Sequence, residues 1–410
     1  MLYKRKIFND PIYGFISIYD KDDVVFRLIE HPYFQRLRRI KQLGLTHLVY
    51  PGALHTRFHH ALGAMHLMME AIEVIRSKGN VITSEEAKGA IIAILLHDVG
   101  HGPFSHALEH SIVHHITHED LSEMFMDRLN IEFDGKLTLA IKIFKNTYRK
   151  KFLHQLVSSQ LDMDRLDYLK RDSFYTGVSE GVISSDRIIK MLNVVKDELV
   201  VEEKGIYSVE KFIIARRLMY WQVYLHKTVL SAENLLVNIL KRAKELAEKK
   251  EKLFCTPAFR VFLYNRYNRN SFAENSDLLH TYAALDDYDI MACVKVWKDH
   301  SDKVLSKLCS NMVDRHLYKV ELQNEPFKKE EIDQLKQKAA KKYKIDEQEA
   351  EYFVFSENVV NSIYSPDKIK INILSKDGKI RDIVEASDQL NLSVLAKTVK
   401  KYFLCYPKDI

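Results

Sequence analysis

Apolar residues recur at intervals of three and four through most of the first 250 residues, which is the spacing of one face of an α-helix. The pattern runs from Val24 to about residue 250, as in Leu62, Met65, Met69 and Ile72. Residues that break helices are scarce, with 13 Gly and 8 Pro in 410 positions. The spacing therefore predicts a mainly α-helical protein.

Alternation of apolar and polar residues with a period of two appears towards the two ends of the chain. Residues 15–19 alternate after a turn, which predicts a short N-terminal strand. Residues 368–374 and 380–384 alternate on either side of an Asp-Gly turn, a pattern typical of a β-hairpin.

The composition changes after about residue 310. Residues 328–344 predict a Lys-rich amphipathic helix, residues 387–400 a further helix and residues 402–406 a final strand. We therefore expect a helical domain over residues 1–315 and a small α+β lobe over residues 316–410.

The composition is that of a globular protein, with 46% hydrophobic and 29% charged residues. The longest uninterrupted apolar run, residues 90–96, is far shorter than the roughly 20 residues that a bilayer crossing needs. The N-terminus does not have the charged start and apolar stretch of a signal peptide, and the four cysteines have no close spacing. We therefore expect a cytoplasmic protein with free thiols and no membrane partner.

One apolar run ends abruptly in two side chains that ligate metals. Residues 90–96 lead directly into His97 and Asp98, and two more His, two Gly and one Pro follow within eight positions. Neutral imidazole and carboxylate together suit a divalent metal such as Mg, Mn, Fe or Zn. Alternatively, these polar residues cap a buried helix.

Further polar clusters occupy residues 55–63 and 118–119, and another surrounds Asp164. Asp164, Tyr168 and Asp172 are each four residues apart, so a helix would place them on one face. Such a face would suit a metal with phosphate beside it. An exposed helix with charge pairs explains the same segment, and both interpretations remain open.

The clusters have the order H…HD…D and stand among further short motifs. The motifs are NDPIYG at residues 9–14, FQRLR at 34–38, IKQLG at 40–44, YPGA at 50–53, RFHH at 57–60, HDVGHGPFSH at 97–106 and DRLDY at 164–168. In these segments the chain resembles the HD-domain metal-dependent phosphohydrolases, and most closely their deoxynucleoside triphosphate (dNTP) triphosphohydrolase branch. The resemblance covers about residues 5–240 and implies an HD-domain helical bundle.

The resemblance implies four metal ligands, His60, His97, Asp98 and Asp164. Two neutral imidazoles and two carboxylates leave coordination positions open for water and phosphate. Mg, Mn, Fe, Ni and Zn are all compatible with this donor set. The implied reaction is cleavage of a dNTP by water at the α-phosphorus, which releases a deoxynucleoside and tripolyphosphate.

The resemblance also implies the residues that carry out catalysis. His106 matches the residue that protonates the leaving oxygen, and Glu109, three residues later, would orient its imidazole. His101 and His118 match histidines that contact phosphate.

A further implied set binds the substrate. Several arginines are expected because a triphosphate is strongly anionic and Arg binds phosphate with two parallel hydrogen bonds. A glutamine would contact the sugar 3′-hydroxyl, and a tyrosine ring beside the deoxyribose would exclude a 2′-hydroxyl. The residues are Arg57, Arg165 and Arg216 around the triphosphate, Tyr168 and Asp172 on the phosphate and sugar side, Gln42 at the 3′-hydroxyl and Tyr224 against the sugar.

The branch has activator sites between subunits, which implies a GTP or dGTP activator and a homo-oligomer, a tetramer by family precedent. Lys6, Glu30, Gln35 and Arg38 match the guanine-nucleotide site, and an ordinary polar surface is the alternative for them.

Two other functions remain open. The first is an HD phosphohydrolase acting on another nucleotide, a monophosphate or guanosine tetraphosphate, because Tyr220 and Leu225 depart from the family pattern near the nucleoside. The second is a nucleotide-sensing or nucleic-acid-binding module, suggested by the Lys-rich residues 328–344 and the net charge of +6. That charge fits an anionic ligand, although evenly distributed lysines give the same number.

Overall fold

A computed structural model describes residues 5–19, 24–104, 116–361, 370–387 and 399–410. Helices dominate these ranges and small sheets make up the remaining regular structure, which confirms the predicted mainly α fold. Across the described ranges, no bilayer-crossing helix is found.

The α-helices are numbered here in chain order. Up to residue 191 they are α1 (Val24–Glu30), α2 (Pro32–Gln35), α3 (Arg57–Ser77), α4 (Ser84–Leu96), α5 (His118–Glu132), α6 (Thr138–Phe144), α7 (Lys151–Val157), α8 (Met163–Thr176) and α9 (Ser185–Met191). Beyond it they are α10 (Ile206–Met219), α11 (Lys227–Glu248), α12 (Pro257–Tyr264), α13 (Arg269–Glu274), α14 (Ser276–Ala283), α15 (Asp287–Trp297), α16 (Lys303–Val313), α17 (Lys329–Tyr343) and α18 (Ile383–Ala386). A π-helical turn, Tyr220–Tyr224, follows α10.

The centre of the bundle is α3, which packs against both α4 and α8. Helix α4 begins at a capping box in which Thr83 and Glu86 satisfy each other's backbone N–H groups. Its last seven residues are apolar, and all but Ile91 are buried. Burial of this segment places the end of α4, where the polar residues follow, in the interior beside α3.

The strands form three sheets. The strands are β1 (Arg5–Asp10), β2 (Gly14–Tyr19), β3 (Leu192–Val195), β4 (Glu198–Glu202), β5 (Lys319–Gln323), β6 (Phe355–Asn361), β7 (Asn372–Leu374), β8 (Ile380–Asp382) and β9 (Val399–Tyr406). β1 and β2 form an antiparallel hairpin, and the second sheet has the order β3-β4-β7-β8, in which only the β4–β7 pair is parallel. The third sheet is antiparallel with the order β5-β9-β6.

The predicted C-terminal hairpin is confirmed in the shorter strands β7 and β8, but its second strand ends early because Ile383 and Val384 belong to α18, and residues 368–369 lie outside the described residues. The predicted final strand is confirmed within β9 and the Lys-rich helix as α17. The helix predicted over residues 387–400 is wrong at its end, because Val399 and Lys400 begin β9 and pair with β6. Residues 388–398 of that prediction lie outside the described residues. The sheet that contains β4 and β7 draws strands from both sides of residue 315, and the division into two domains stays a prediction.

One hairpin inside the predicted helical region was missed. The turn between β3 and β4 is Lys196-Asp197, with φ of 52° and 66°. Two consecutive positive φ values are typical of a type I′ turn, whose usual signature is Asn-Gly or Asp-Gly. A Lys-Asp turn does not carry that signature, which explains the omission.

Candidate metal centre and active site

Three helix ends bring the predicted metal ligands together. His60 lies in the first turn of α3, His97 follows directly after α4 with Asp98 beside it, and Asp164 lies in the first turn of α8. The side chain of Asp162 caps α8 by accepting a hydrogen bond from the backbone N–H of Arg165. The start of α8 is therefore fixed within one residue of Asp164.

The ligand atoms face one another at short range. His60 Nε2 and His97 Nε2 are 3.3 Å apart, and Asp164 Oδ1 lies 3.1 Å from the first and 3.5 Å from the second. Asp98 Oδ1 is 3.3 Å from His97 Nε2, but the Asp98 carboxylate also pairs with Arg57 at 2.5 Å. His60, His97 and Asp164 thus form the compact group, with Asp98 beside it and shared with a cation.

Outer partners fix which nitrogen of each imidazole faces the group. His60 Nδ1 lies 2.8 Å from Asp167 Oδ2, and His97 Nδ1 lies 2.6 Å from the carbonyl oxygen of Ile94. Both partners are acceptors, so in the neutral imidazoles, which are the form that binds a metal, Nδ1 carries the proton and Nε2 presents a lone pair. Two lone pairs and a carboxylate oxygen then converge without a donor between them, a donor set that fits a divalent cation.

The same arrangement governs the charge of the imidazoles. Burial by itself lowers the pKa of His60, but its hydrogen bonds to Asp164 and Asp167 and their negative charges outweigh burial and raise the pKa to about 10. Burial also lowers the pKa of His97, and the charges of Asp98 and Asp164 turn the shift upward. Without a metal, protons therefore compensate the carboxylates, and a metal must displace them.

This competition makes the stability of the metal-free protein depend on pH. The folded pKa of His60 exceeds its ordinary value of 6.5. Protonated His60 therefore adds its full contribution to the free energy of unfolding below pH 6.5, and this contribution is lost as pH rises towards 10. In EDTA, the free energy of unfolding should fall by at least about 1 kcal/mol between pH 6.5 and 9. Urea unfolding measures this.

Two controls accompany that measurement. Saturating Mn²⁺ should flatten the decrease, because the metal takes the place of the proton, and Asp164→Asn should flatten it in EDTA by removing a carboxylate that raises the pKa. Metal-free stability that stays constant or rises over this range would contradict the assigned charge state.

Asp167 lies behind His60 in a fully buried chain of ion pairs. Arg171 donates to both oxygens of Asp167 at 2.9 Å and to Asp10 at 2.8 Å. We expect Asp167→Asn to weaken metal binding about 10- to 100-fold, because the amide is a poorer acceptor and orients His60 less firmly. Metal titration followed by calorimetry measures the change. Asp186→Asn, on an exposed side chain, is the control, and equal affinities for both variants would refute the role.

The predicted arginines surround this group without forming one cluster. Arg57 pairs with Asp98, and Arg165 donates to the carbonyl oxygen of Ser159 at 2.6 Å and to Tyr168 at 3.4 Å. Arg216 donates to Gln160 at 3.2 Å. Among these guanidinium groups, the Nε of Arg57 is buried and has no hydrogen-bond partner among the described residues.

A second chain of contacts begins at Asp172 of α8. Asp172 is buried, accepts the Tyr224 hydroxyl at 2.7 Å and lies 2.8 Å from His55 Nε2. The ring of His55 stacks on Tyr175 with centroids 4.5 Å apart. Tyr168 and Tyr224 meet edge to face at 6.3 Å. These contacts hold the Tyr224 ring in one position.

A cavity of about 410 Å³ adjoins the site. Arg57 and Tyr224 line it, so it reaches the partners of Asp98 and Asp172. Gln42 lines it too, and its Oε1 is buried without a hydrogen-bond partner among the described residues. The helix α11 and apolar residues such as Leu43 form other parts of the wall.

The remaining predicted catalytic residues divide into two pairs. His101 and His118 stack with ring centroids 3.8 Å apart, and His101 Nε2 lies 3.2 Å from Asp98 Oδ1. Burial and the charge of Arg57 hold the pKa of His101 well below its usual value, so His101 is neutral. His106 and Glu109 lie outside the described residues.

The predicted activator residues form two contacts near the N-terminal hairpin. Lys6 pairs with Glu30. Arg38 donates to the Gln35 side chain at 2.9 Å and lies over the ring of Phe58 at 3.5 Å from its centroid. Both pairs are accessible, which leaves the activator role as a prediction.

The sequence analysis did not identify the residues that hydrogen-bond to the site residues or to the backbone beside them. His55, Asp167 and Arg36 are examples: Arg36 is fully buried and donates to the carbonyl oxygens of Val99 at 2.9 Å and of His101 at 2.7 Å. Their position could have pointed to them, because all three fall inside the motifs or close beside them in the sequence.

Comparison with known proteins gives a consistent set of relatives. A family model described as the HD associated region matches residues 183–256. The uncharacterized protein YwfO of Bacillus subtilis is 32% identical over 423 residues, covering 100% of this chain and 94% of that protein. A dNTP triphosphohydrolase SAMHD1 homolog of Dictyostelium discoideum is 32% identical over 267 residues, covering 60% of this chain and 51% of its own length.

A solved structure matches along its whole length. The crystal structure of a phosphohydrolase from Bacteroides thetaiotaomicron has 54% sequence identity and a TM-score of 0.95, and the match covers 99% of this chain and 100% of that one. Similarity of this extent over the entire fold, together with the order of the His and Asp side chains at three helix ends, assigns the family. The chain belongs to the HD-domain phosphohydrolases.

Proposed function

We propose that this protein hydrolyses dNTPs to deoxynucleoside and tripolyphosphate. The observation that carries the proposal is the cavity of about 410 Å³ next to the candidate metal group. Its lining includes Arg57, whose guanidinium contacts Asp98, and Tyr224, whose hydroxyl contacts Asp172. A volume in this range suits a small-molecule ligand, so a nucleoside would occupy the cavity with its phosphates at the His and Asp residues.

The chain supplies cations for the phosphates. Arg57 keeps its buried Nε–H without a partner among the described residues, so it can donate to a phosphate oxygen while Nη1 remains paired with Asp98. Arg165 donates to the Tyr168 hydroxyl at 3.4 Å, and the guanidinium of Arg216 lies over the ring of Tyr220, which lines the cavity. We assign both arginines to the outer phosphates. Donors fixed by the fold stabilise the charge on a transferring phosphoryl group.

The chain also supplies contacts for the sugar. The buried Oε1 of Gln42 is an unused acceptor that suits the 3′-hydroxyl. The Tyr224 ring is held by Asp172, which is itself held by His55. A ring fixed in this way does not move aside for a 2′-hydroxyl, which favours deoxyribose over ribose.

A divalent metal would be held by His60, His97 and Asp164 with Asp98, and when bound it would supply positive charge that polarises the phosphoryl group. Asp167 and the carbonyl oxygen of Ile94 keep the two Nε2 lone pairs directed at that position. We assign His106 as the proton donor to the leaving oxygen, with Glu109 orienting it, and neutral His101 with His118 as phosphate contacts.

Relatives support a nucleotide substrate. Proteins named dNTP triphosphohydrolase SAMHD1 from Danio rerio and Gallus gallus are 28% and 29% identical to this chain, which spans 42% and 43% of their lengths. The B. thetaiotaomicron structure is named as a phosphohydrolase. Together with the cavity, these names favour a dNTP over other phosphate esters.

The test is a product analysis. The purified protein is incubated with each dNTP and Mn²⁺ or Mg²⁺, with and without GTP or dGTP, and the products are separated by ion exchange. Deoxynucleoside and tripolyphosphate in equal amounts support the proposal. No turnover in any combination, or release of pyrophosphate or orthophosphate, would overturn it.

One observation keeps a second substrate in consideration. Tyr220 and Leu225, which differ from the family pattern, both line the cavity. Another nucleotide, such as a monophosphate or guanosine tetraphosphate, would then be the substrate, and orthophosphate or pyrophosphate among the products identifies it.

The nucleic-acid alternative rests on the lysines of α17. Two of them are already paired with carboxylates, Lys336 with Glu351 and Lys342 with Asp409.

We further propose activation by GTP or dGTP bound at Lys6, Glu30, Gln35 and Arg38, in a cytoplasmic homo-oligomer. Both side-chain pairs lie on the surface, where a partner subunit can cover them. Light scattering with and without GTP measures the mass. A mass unchanged by GTP, together with a rate unchanged by GTP, would exclude activation.

A further inference from the structure

The cavity contains one acidic side chain, which the phosphate and sugar contacts do not use. Glu233, on α11, lines the cavity, and its carboxyl has no hydrogen bond or ion pair with any described residue. The cations of the lining are already paired: Lys41 contacts Asp287 at 3.3 Å, and Arg57 contacts Asp98. Glu233 is therefore an acid that faces the cavity without a cation to offset it.

The wall around Glu233 also carries polar side chains, but Asn234 beside it donates its amide to the backbone carbonyl oxygen of Leu230 at 2.9 Å and not to the carboxyl. Leu230, Glu233 and Val237 lie three and four residues apart on α11, on the face that the cavity exposes. Burial raises the pKa of the Glu233 carboxyl to about 7, and no neighbouring charge lowers it again. An uncompensated carboxyl in such a wall is costly unless a ligand donates hydrogen bonds to it.

The position of the phosphates decides which part of a nucleotide faces this wall. The phosphates belong at Arg57, beside the metal group, and the sugar belongs at Gln42 and Tyr224. The base is the part that remains. This step rests on the proposed function, because it takes a nucleotide as the occupant of the cavity.

We propose that Glu233 selects guanine by accepting hydrogen bonds from the N1–H and N2–H groups of one base edge. An ionised carboxylate is an acceptor with two oxygens and has no donor. Guanine presents two adjacent donors on its Watson–Crick edge, whereas adenine and cytosine each place a ring acceptor beside one amino donor, and thymine offers one donor between two carbonyls. Guanine alone satisfies both carboxylate oxygens.

The experiment compares dGTP, dITP and dATP, because the base of dITP keeps N1–H but has no 2-amino group. Every assay contains saturating GTP, so that an activator site is filled throughout. The values of kcat/KM are measured for the unaltered protein, for Glu233→Gln, and for Glu251→Gln, an exposed site outside the cavity lining that serves as the control. Thermal melting confirms that each variant is folded.

The unaltered protein should prefer dGTP over dITP by about tenfold or more, since a site built for a polar group rejects an analogue without it. In Glu233→Gln that preference should fall to within about twofold, and the dGTP to dATP ratio should drop at least about tenfold, because an amide can pair with the adenine edge. Glu251→Gln should leave both ratios unchanged. Equal use of dGTP and dITP, or an equal loss for all three substrates, would overturn the inference.

Direct binding separates this inference from the proposed reaction. Affinities for deoxyguanosine and deoxyinosine are measured by calorimetry in EDTA, where no hydrolysis occurs. If no dNTP is hydrolysed but deoxyguanosine binds more tightly and Glu233→Gln removes the difference, the reaction is wrong and the base contact stands. If dNTPs are hydrolysed and the two nucleosides bind equally, the base contact is wrong and the reaction stands.

Discussion

Asp164→Ala is expected to lower metal-dependent phosphohydrolase activity at least about a thousandfold. Its Oδ1 lies 3.1 Å and 3.5 Å from the Nε2 atoms of His60 and His97, and no other described carboxylate comes that close to both. A catalytic metal contributes several kcal/mol of stabilisation to the developing charge, and about 4 kcal/mol corresponds to a thousandfold change in rate. Loss of the ligand should therefore remove metal affinity and rate together.

The measurement pairs kcat/KM with metal affinity and thermal melting. The Asp164 side chain is 28% exposed, and the cap of α8 is made by Asp162, so the fold should persist in the variant. Asp377→Ala, at an exposed position in the turn between β7 and β8, is the matched control and should keep full activity. Activity of Asp164→Ala within tenfold of the unaltered protein, at saturating metal, would show that His60, His97 and Asp98 suffice or that the metal lies elsewhere.

Sequence patterns predicted the helices that carry this site and one of the three helix ends that form it. Apolar spacing indicated α3, an uninterrupted apolar run indicated α4, and the four-residue spacing of Asp164 and its neighbours suited α8; burial of their apolar sides sets how each helix is rotated. The end of the apolar run places His97 after α4, whereas the positions of His60 and Asp164 in the first turns of α3 and α8 come from the structure. The family resemblance added that these ends meet, which spacing alone does not determine.

The supporting contacts were not predictable in the same way. His55 and Asp172 are 117 residues apart, and His60 and Asp167 are 107 apart, so each pair depends on how distant segments of the chain pack together. The sequence pattern does not separate Glu233 from the other polar positions of the amphipathic helix α11. Only its place in the cavity lining does so. Long-range contacts of this kind follow from the packed fold and leave no periodic signal in the chain.

The second large effect is expected from Gly63→Ala, which should lower the free energy of unfolding by about 3–5 kcal/mol. Gly63 lies inside α3, where alanine is normally favoured over glycine by about 1 kcal/mol. Here a Cβ atom would overlap Asp167 Oδ1 and Arg171 Nη2. Those atoms are side-chain ends, but they belong to a buried ion pair that also holds Asp10, so moving them breaks the pair.

A second helical glycine provides the control. In α4, a Cβ on Gly89 would lie 2.9 Å from Leu139 Cγ and 3.1 Å from Ile143 Cδ1, which are apolar side chains that can shift by a few tenths of an ångström. Gly89→Ala should therefore change stability by no more than about 1 kcal/mol. Urea unfolding at pH 7.5 compares the two variants, and equal losses would show that the ion pair at Gly63 adapts as readily as the apolar contacts.

Gly63→Ala should also weaken metal binding, because the displaced carboxylate of Asp167 is the one that orients His60. The expected loss is about 10- to 100-fold, as for Asp167→Asn. Since both substitutions act through one contact, the double variant should bind metal only slightly more weakly than either single variant. Losses that multiply in the double variant would mean that Gly63 affects the ligands by another route, such as a shift of α3 itself.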